Sequence, residues 1–119
     1  MFAFLRNFAS PGSDAVSFVD AATVRQWQKD KTAVIVDVRE PAEYAGGHIP
    51  GAVSMPLSRF DASRIPALAE GQHLVVHCQA GVRCGAASRL LLAAGFQGSI
   101  NRLRGGFMAW LSAGGAVAR

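Results

Sequence analysis

Cys78 and the residues after it have the types and spacing needed for nucleophilic chemistry. A cysteine thiolate is a strong nucleophile, and Cys78 follows an apolar run and precedes the segment Gln79-Ala80-Gly81-Val82-Arg83. A loop between a buried strand and a helix directs successive backbone N–H groups toward one centre, which favours an anion there. Gly81 allows a tight turn, and Arg83 supplies a cation beside the sulfur. We therefore predict that Cys78 is a thiolate with a pKa below the free value of about 8.5.

Both cysteines also have structural interpretations. Cys78 could be an ordinary buried cysteine that ends a core strand. Cys84 could be a small side chain packed at the start of the next helix, or a resolving thiol that forms a disulfide with Cys78 under oxidation. Two cysteines are too few for a disulfide scaffold or a four-thiolate zinc site, so no metal site is expected.

Strand-like and helix-like segments alternate along the chain, and they must position this loop. The run at 33–38 is almost entirely β-branched and aliphatic, which is typical of a strand covered on both faces. The alternation predicts parallel βαβ units, with helices on both faces of one sheet. Strands are predicted at 16–19, 33–38, 52–55, 74–77 and 99–101, and helices at 20–27, around 41–44, at 84–94 and in a closing segment that ends at 114–115.

Three polar segments follow predicted strands, at 37–40, 78–83 and 102–104. The carboxyl ends of parallel strands lie at one edge of a sheet, and ligands of such folds bind outside that edge. The three segments should therefore converge there, and that edge is the predicted site.

Charged residues in these segments are candidates for supporting roles. Asp37 and Arg39 are predicted to hold the neighbouring loop by ion pairing and backbone hydrogen bonds, and a direct substrate role for Arg39 stays open. Arg104, on the same predicted edge, either recruits an anion or is a solvated surface residue.

Four segments in order resemble the rhodanese-like sulfurtransferases, over residues 16–116. Each segment is a weak signal alone, but each falls on the element expected for that fold. The resemblance implies an α/β fold with a five-stranded parallel sheet and helices on both faces. The segments are Val36-Asp37-Val38-Arg39-Glu40 with Glu43-Tyr44, then Gly47-His48-Ile49-Pro50-Gly51-Ala52, the loop from Cys78 to Arg83, and Leu103-Arg104-Gly105-Gly106-Phe107-Met108-Ala109-Trp110.

The resemblance also implies the chemistry of Cys78. As the catalytic nucleophile, Cys78 takes a sulfane sulfur from thiosulfate or a thiol persulfide and becomes a persulfide. A thiophilic acceptor, cyanide or a thiol, then removes that sulfur, and neither a metal nor an organic cofactor is needed. Backbone N–H groups of the loop stabilise the negative charge that moves between the two sulfur atoms. The substrate-binding residues implied are Gln79, Ala80, Gly81, Val82 and Arg83.

Loop length separates this chain from the relatives of that family that hydrolyse phosphate esters. Those relatives have one extra residue, which places their Arg six positions after the Cys, whereas here Arg83 is fifth and Cys84 is sixth. Cys84 also departs from the Ser or Thr of typical members. The shorter cradle fits a sulfur atom carried on cysteine better than a tetrahedral phosphate, so a phosphatase or an arsenate-reductase-like enzyme is disfavoured.

The donor and the partners are less narrowly predicted. Val82 adds no positive charge for thiosulfate, which leaves a neutral or larger donor such as a thiol persulfide open. A second hypothesis is a carrier module that accepts sulfur from a partner enzyme and passes it to another protein.

Residues 1–15 are expected to be a flexible lead-in or a docking segment. The docking interpretation depends on Phe2, Leu5 and Phe8, which are spaced about one helical turn apart.

Composition sets the class of protein. The chain has 119 residues, 50% hydrophobic and 17% charged, which predicts one globular domain with its own core. Its apolar runs are too short for a membrane span, and without a secretory signal the expected compartment is the reducing cytoplasm. The formal charge of +4 is scattered along the chain, so nucleic-acid binding is not predicted, while a small anion is attracted.

Overall fold

The computed structural model describes residues 15–119. The lead-in predicted for residues 1–15 therefore lies, except for its last residue, outside the described residues. Within the described part of the chain, no helix is long and apolar enough to cross a membrane.

Five parallel strands form one sheet in the order β1-β5-β4-β2-β3, which confirms the predicted fold class. Parallel register brings Asp37 of β2 level with His77 of β4, and Val76 of β4 level with Arg102 of β5. The carboxyl ends of the three central strands therefore lie along one edge. The strands are β1 (Val16–Val19), β2 (Ala33–Asp37), β3 (Val53–Ser54), β4 (His73–His77) and β5 (Ile100–Leu103).

The first two helices begin where local side chains satisfy their free N–H groups. The Asp20 carboxylate accepts the Thr23 N–H at 2.8 Å and caps the first helix. Glu40 and Glu43 form a capping box around Pro41 at the start of the second. The helices are α1 (Ala21–Lys29), α2 (Pro41–Ala45), α3 (Arg83–Ala93) and α4 (Gly106–Ser112), and 3-10 turns occupy Leu57–Arg59 and Ala62–Arg64.

Two apolar clusters fill the two faces of the sheet, as predicted. Successive residues of a strand point to opposite faces, so Ile35 and Val75 face α1 and α4, while Val36 and Val76 face α3. All four of these strand side chains are buried. Helices on both faces leave only the strand ends open to a ligand.

The predicted end of β5 was wrong. The strand runs through Leu103 rather than stopping at residue 101, and Arg102 lies inside it. The reason is pairing on both sides: Arg102 is in register with Val76 of β4 and with Phe18 of β1. A polar side chain therefore sits in an interior strand, where propensity alone does not place it.

Candidate active site

Cys78 directly follows β4 and is anchored through its backbone. Its carbonyl accepts the Phe107 N–H at 2.9 Å, and the Gln79 carbonyl accepts the Met108 N–H at 3.1 Å. Gly106, which has φ +61°, makes this approach of α4 possible, because a Cβ there would lie 2.5 Å from the Cys78 carbonyl oxygen. The first turn of α4 thus fixes the start of the loop.

The loop from Cys78 to Arg83 turns two of its N–H groups, those of Ala80 and Gly81, toward the sulfur. The Gly81 N–H donates to Cys78 Sγ at 3.2 Å, in a turn where Gly81 has φ +99°. Hydrogen bonds to the sulfur lower the pKa of Cys78 from its ordinary 9.0 to about 4, although burial opposes this shift. The largest contribution comes from the Cys84 thiol, and smaller ones come from the backbone N–H groups of Cys84, Gly81 and Ala80. Cys78 is therefore a thiolate near neutral pH.

Cys84 lies in the first turn of α3 with no exposed surface. Its Sγ is 3.3 Å from the Gly81 carbonyl oxygen and accepts the Arg102 Nε–H at 3.4 Å. Its hydrogen bond to Cys78 and its burial raise the pKa of Cys84, so this thiol keeps its proton. Both cysteines are free.

Arg83 is turned toward α2 rather than toward the sulfur. Its guanidinium forms a two-point ion pair with Glu43, with N–O distances of 2.8 and 2.9 Å. This partner holds the pKa of Glu43 at about 2. Across residues 15–119 no hydrogen bond joins Arg83 to Cys78. The predicted cation beside the sulfur is thus neutralised by a carboxylate that the sequence analysis did not single out.

Asp37 and Arg39 form a buried ion pair beside the loop. Arg39 is 2% exposed and Asp37 is fully buried. The Arg39 guanidinium donates to both Asp37 oxygens at 2.8 to 3.1 Å, to the Gly47 carbonyl at 2.7 Å and to Gln79 Oε1 at 3.1 Å. It also lies 4.4 Å from the centre of the Phe107 ring. All its nitrogens are engaged, which is the geometry of a residue that positions the loop.

His77 precedes Cys78 and is fully buried. Its Nδ1 lies 3.0 Å from the Cys78 carbonyl oxygen, and its Nε2 lies 3.5 Å from Asp37 Oδ2. Burial lowers the pKa of His77, which favours the neutral imidazole. A neutral ring must donate from Nδ1 to reach the carbonyl, so His77 supports the backbone at Cys78 rather than the thiol itself.

The outer surface of the loop is apolar. Val82 is 77% exposed at the tip, and Met108 of α4, whose backbone contacts the loop, is 55% exposed. Ala80 is also exposed. Arg104 is exposed as well, but its guanidinium lies 4.8 Å from the Phe18 ring at the β1 side of the sheet.

The sequence analysis gave no site role to Glu43, and it placed Arg102 at this edge only as part of the polar segment at 102–104. Glu43 was read only as part of a motif, and its distance of 40 positions from Arg83 carries no local signal. Arg102 had a detectable signal, because an arginine inside a central strand needs a specific polar partner. That signal depended on the strand boundary, which was placed too early.

Comparison with known proteins agrees with this architecture. A model of the rhodanese-like domain matches residues 20–113. An uncharacterized protein of Synechocystis is 45% identical over 92 residues, 77% of this chain and 50% of that protein. A sulfurtransferase of Allochromatium vinosum is 32% identical over 96 residues, 80% of this chain and 88% of that protein. The structure of thiosulfate sulfurtransferase from Pseudomonas aeruginosa aligns with a TM-score of 0.75 at 28% identity, covering 87% of this chain and 20% of that one.

The family match over residues 20–113 includes strands β2 to β5, the loop after Cys78 and the first turn of α4. The chain spans half the length of the Synechocystis protein and most of the Allochromatium one. The fold, the matched residues and these relatives agree on one assignment. The chain belongs to the rhodanese-like domain family, a family of sulfur transfer.

Proposed function

We propose that this domain is a sulfurtransferase that carries sulfur as a persulfide on Cys78. The observation that carries the proposal is the thiolate site: Cys78 Sγ is buried, receives the Gly81 N–H at 3.2 Å and has a pKa lowered to about 4. A buried thiolate surrounded by fixed donors is a nucleophile whose charge is stabilised before and after attack.

The reaction has two balanced steps. The Cys78 thiolate attacks the outer sulfur of the donor, a new S–S bond forms, and the donor leaves as sulfite from thiosulfate or as a thiolate from a thiol persulfide. The acceptor, cyanide or a thiolate, then attacks the outer sulfur of the persulfide. The S–S bond breaks, its electron pair returns to Cys78, and thiocyanate or a new persulfide leaves. The Gly81 N–H donates to Cys78 Sγ at 3.2 Å, so a donor is in place when the electron pair returns to that sulfur.

The charges around the loop favour a thiol persulfide over thiosulfate as donor. Arg83 is paired with Glu43, and Arg39 is buried against Asp37, so neither offers a free cation at the mouth of the loop. The exposed rim consists of Ala80, Val82 and Met108. An apolar rim contacts the carbon skeleton of a thiol persulfide, whereas it gives nothing to a small dianion.

Steady-state kinetics test this proposal. We expect thiocyanate production with both donors and cyanide, with a higher kcat/KM for glutathione persulfide than for thiosulfate. Cys78→Ser should have no activity above the uncatalysed rate, while Cys84→Ser keeps measurable turnover. Undiminished turnover by Cys78→Ser would show that the nucleophile lies elsewhere. Hydrolysis of an aryl phosphate by the wild type, with no sulfur transfer, would instead support the phosphatase hypothesis.

A further inference from the structure

Arg102 is fixed beside the middle of the active-site loop, at Gly81. It projects from β5, an interior strand, and its guanidinium donates from Nη2 to the Gly81 carbonyl at 2.9 Å and from Nε to Cys84 Sγ at 3.4 Å. The Phe18 ring covers the guanidinium, with 4.5 Å from Cζ to the ring centre. One planar group therefore contacts both the loop and the second cysteine.

The first turn of α3 leaves room for this guanidinium. A Cβ on Gly85 would lie 3.1 Å from Arg102 Nη2 and 3.2 Å from Cζ. Glycine in a helix costs roughly 1 kcal/mol of stability relative to alanine. Gly85 is buried, so a need for a flexible, exposed backbone does not explain why a glycine occupies this position. The close approach of Arg102 does explain it.

The direction of these hydrogen bonds sets the orientation of the Cys84 thiol. Sγ of Cys84 accepts the Arg102 Nε–H, so its single proton must point elsewhere. Two acceptors compete for that proton. The Gly81 carbonyl oxygen lies 3.3 Å from Cys84 Sγ and already receives Arg102 Nη2–H, and the Cys78 thiolate receives its largest stabilising hydrogen bond from the Cys84 thiol. The negatively charged acceptor forms the stronger hydrogen bond.

We propose that Arg102 is a positioning residue, which holds the Cys84 thiol as a hydrogen-bond donor to Cys78. Cys84 is then a catalytic residue, because its proton touches the reacting sulfur, and neither a packed spacer nor a resolving thiol describes its main role. The proposal rests on the proposed function only in taking Cys78 as the nucleophile. The thiolate can be measured without any sulfur donor, so the two proposals fail separately.

The test is the pH dependence of Cys78 alkylation by iodoacetamide, followed by intact mass, with Cys78→Ser to identify the site of the adduct. We expect Arg102→Met to move the acidic limb of the profile toward alkaline pH by about one unit, which is about tenfold slower alkylation on that limb. Arg102→Gln, which keeps one donor group, should show a smaller shift if the methionine variant folds poorly. Arg89→Met, the same change on the exposed face of α3, is the matched control and should leave the profile unchanged.

A double-mutant cycle separates positioning of Cys84 from simple clamping of the loop at Gly81. Cys84→Ala should raise the midpoint, Cys84→Ser should restore part of the shift, and Arg102→Met should add little in the Cys84→Ala background. Equal effects of Arg102→Met with and without Cys84 would overturn the proposal, because Arg102 would then act only through Gly81. An unchanged midpoint in both Arg102 variants would overturn it as well.

Discussion

At the scale of single residues, the charge of Cys78 is stabilised by neutral donors rather than by a paired cation. The Cys84 thiol and the N–H groups of Gly81 and Ala80 face the sulfur, while Arg83 is paired with Glu43. Fixed dipoles in a buried site need no rearrangement when charge moves from Cys78 to the outer sulfur. The nucleophile is thus stabilised without a strong cation that would hold the sulfur too tightly for release.

The first prediction concerns the pH dependence of Cys78 in the wild type. Because donors lower the pKa of Cys78 to about 4, its alkylation rate should stay constant from neutral pH downward and fall only as the pH approaches that value. The thiolate is the reactive form, so protonation at low pH slows the reaction. Alkylation reactions quenched at set times and analysed by mass spectrometry measure this profile. A rate that instead climbs through the region of about pH 8.5 would identify an ordinary thiol.

At the scale of elements, three neighbours fix the loop from different sides. Helix α2 holds its end through Glu43 and Arg83, α4 holds its start through the backbone of Phe107 and Met108, and β5 holds its middle through Arg102. Each contact joins residues far apart in sequence. The geometry of the site therefore depends on the packed fold and not on the loop sequence alone.

The second prediction addresses the contact from α2. Glu43→Gln removes the carboxylate that neutralises Arg83 and leaves a free guanidinium at the mouth of the loop. We expect kcat/KM for thiosulfate to rise by about threefold at low salt, with a steeper dependence on ionic strength than in the wild type. The change in unfolding free energy should stay below about 1 kcal/mol, because the pair is one third exposed.

Glu70→Gln is the matched control for that experiment. Glu70 is exposed and precedes β4, at the opposite end of the strand from Cys78, and its substitution changes the net charge by the same amount. If both variants raise the thiosulfate rate equally, the effect comes from net charge, and the local role assigned to Glu43 is wrong.

The third prediction addresses the contact from α4. Gly106→Ala introduces a Cβ 2.5 Å from the Cys78 carbonyl oxygen at a left-handed φ of +61°, so we expect about 3 kcal/mol or more of destabilisation and a large loss of sulfur transfer. Gly71→Ala meets no atom within 4 Å at a φ of +85° and measures the backbone strain alone, about 1 kcal/mol. Urea unfolding compares them. Equal costs would show that the contact at Cys78 is not tight.

Local signals explain what the sequence could predict and what it could not. The apolar run before Cys78 and the glycine at Gly81 predicted the strand and the turn that place Cys78, because period and turn chemistry are encoded over a few residues. The orientation of Arg83 could not be derived, since it depends on a carboxylate 40 positions away. The specific contacts of Arg102 could not be derived, because pairing on both sides extends β5 through Arg102 to Leu103.

At the scale of the whole molecule, the final residues close the fold beside the site. Ala118 exchanges two backbone hydrogen bonds with His48, at 2.8 and 2.9 Å, and the Ala116 carbonyl accepts the Trp110 indole N–H at 2.7 Å. The adjacent Gly47 carbonyl accepts a hydrogen bond from the Arg39 guanidinium. The C-terminal segment thus supports the buried ion pair that positions the loop.

The fourth prediction follows from that closure. Removing residues 117–119 deletes the Ala118–His48 pair of hydrogen bonds and the Arg119 contact with the Gly46 carbonyl, so we expect a loss of about 1–3 kcal/mol in unfolding free energy. Arg119→Ala, which removes only the exposed contact, should cost about 0.5 kcal/mol or less. Urea denaturation gives both values. A truncated chain as stable as the wild type would show that the bridge contributes nothing.

The central claim is that Cys78 carries the transferred sulfur, and intact mass measured without reductant tests it most directly. The reduced protein is treated with thiosulfate or glutathione persulfide, freed of excess donor, and compared with Cys78→Ser. The account predicts a gain of one sulfur atom that cyanide removes and that the serine variant does not acquire. An unchanged mass with both donors, an equal gain in the serine variant, or a loss of two hydrogens from a Cys78–Cys84 disulfide would contradict it.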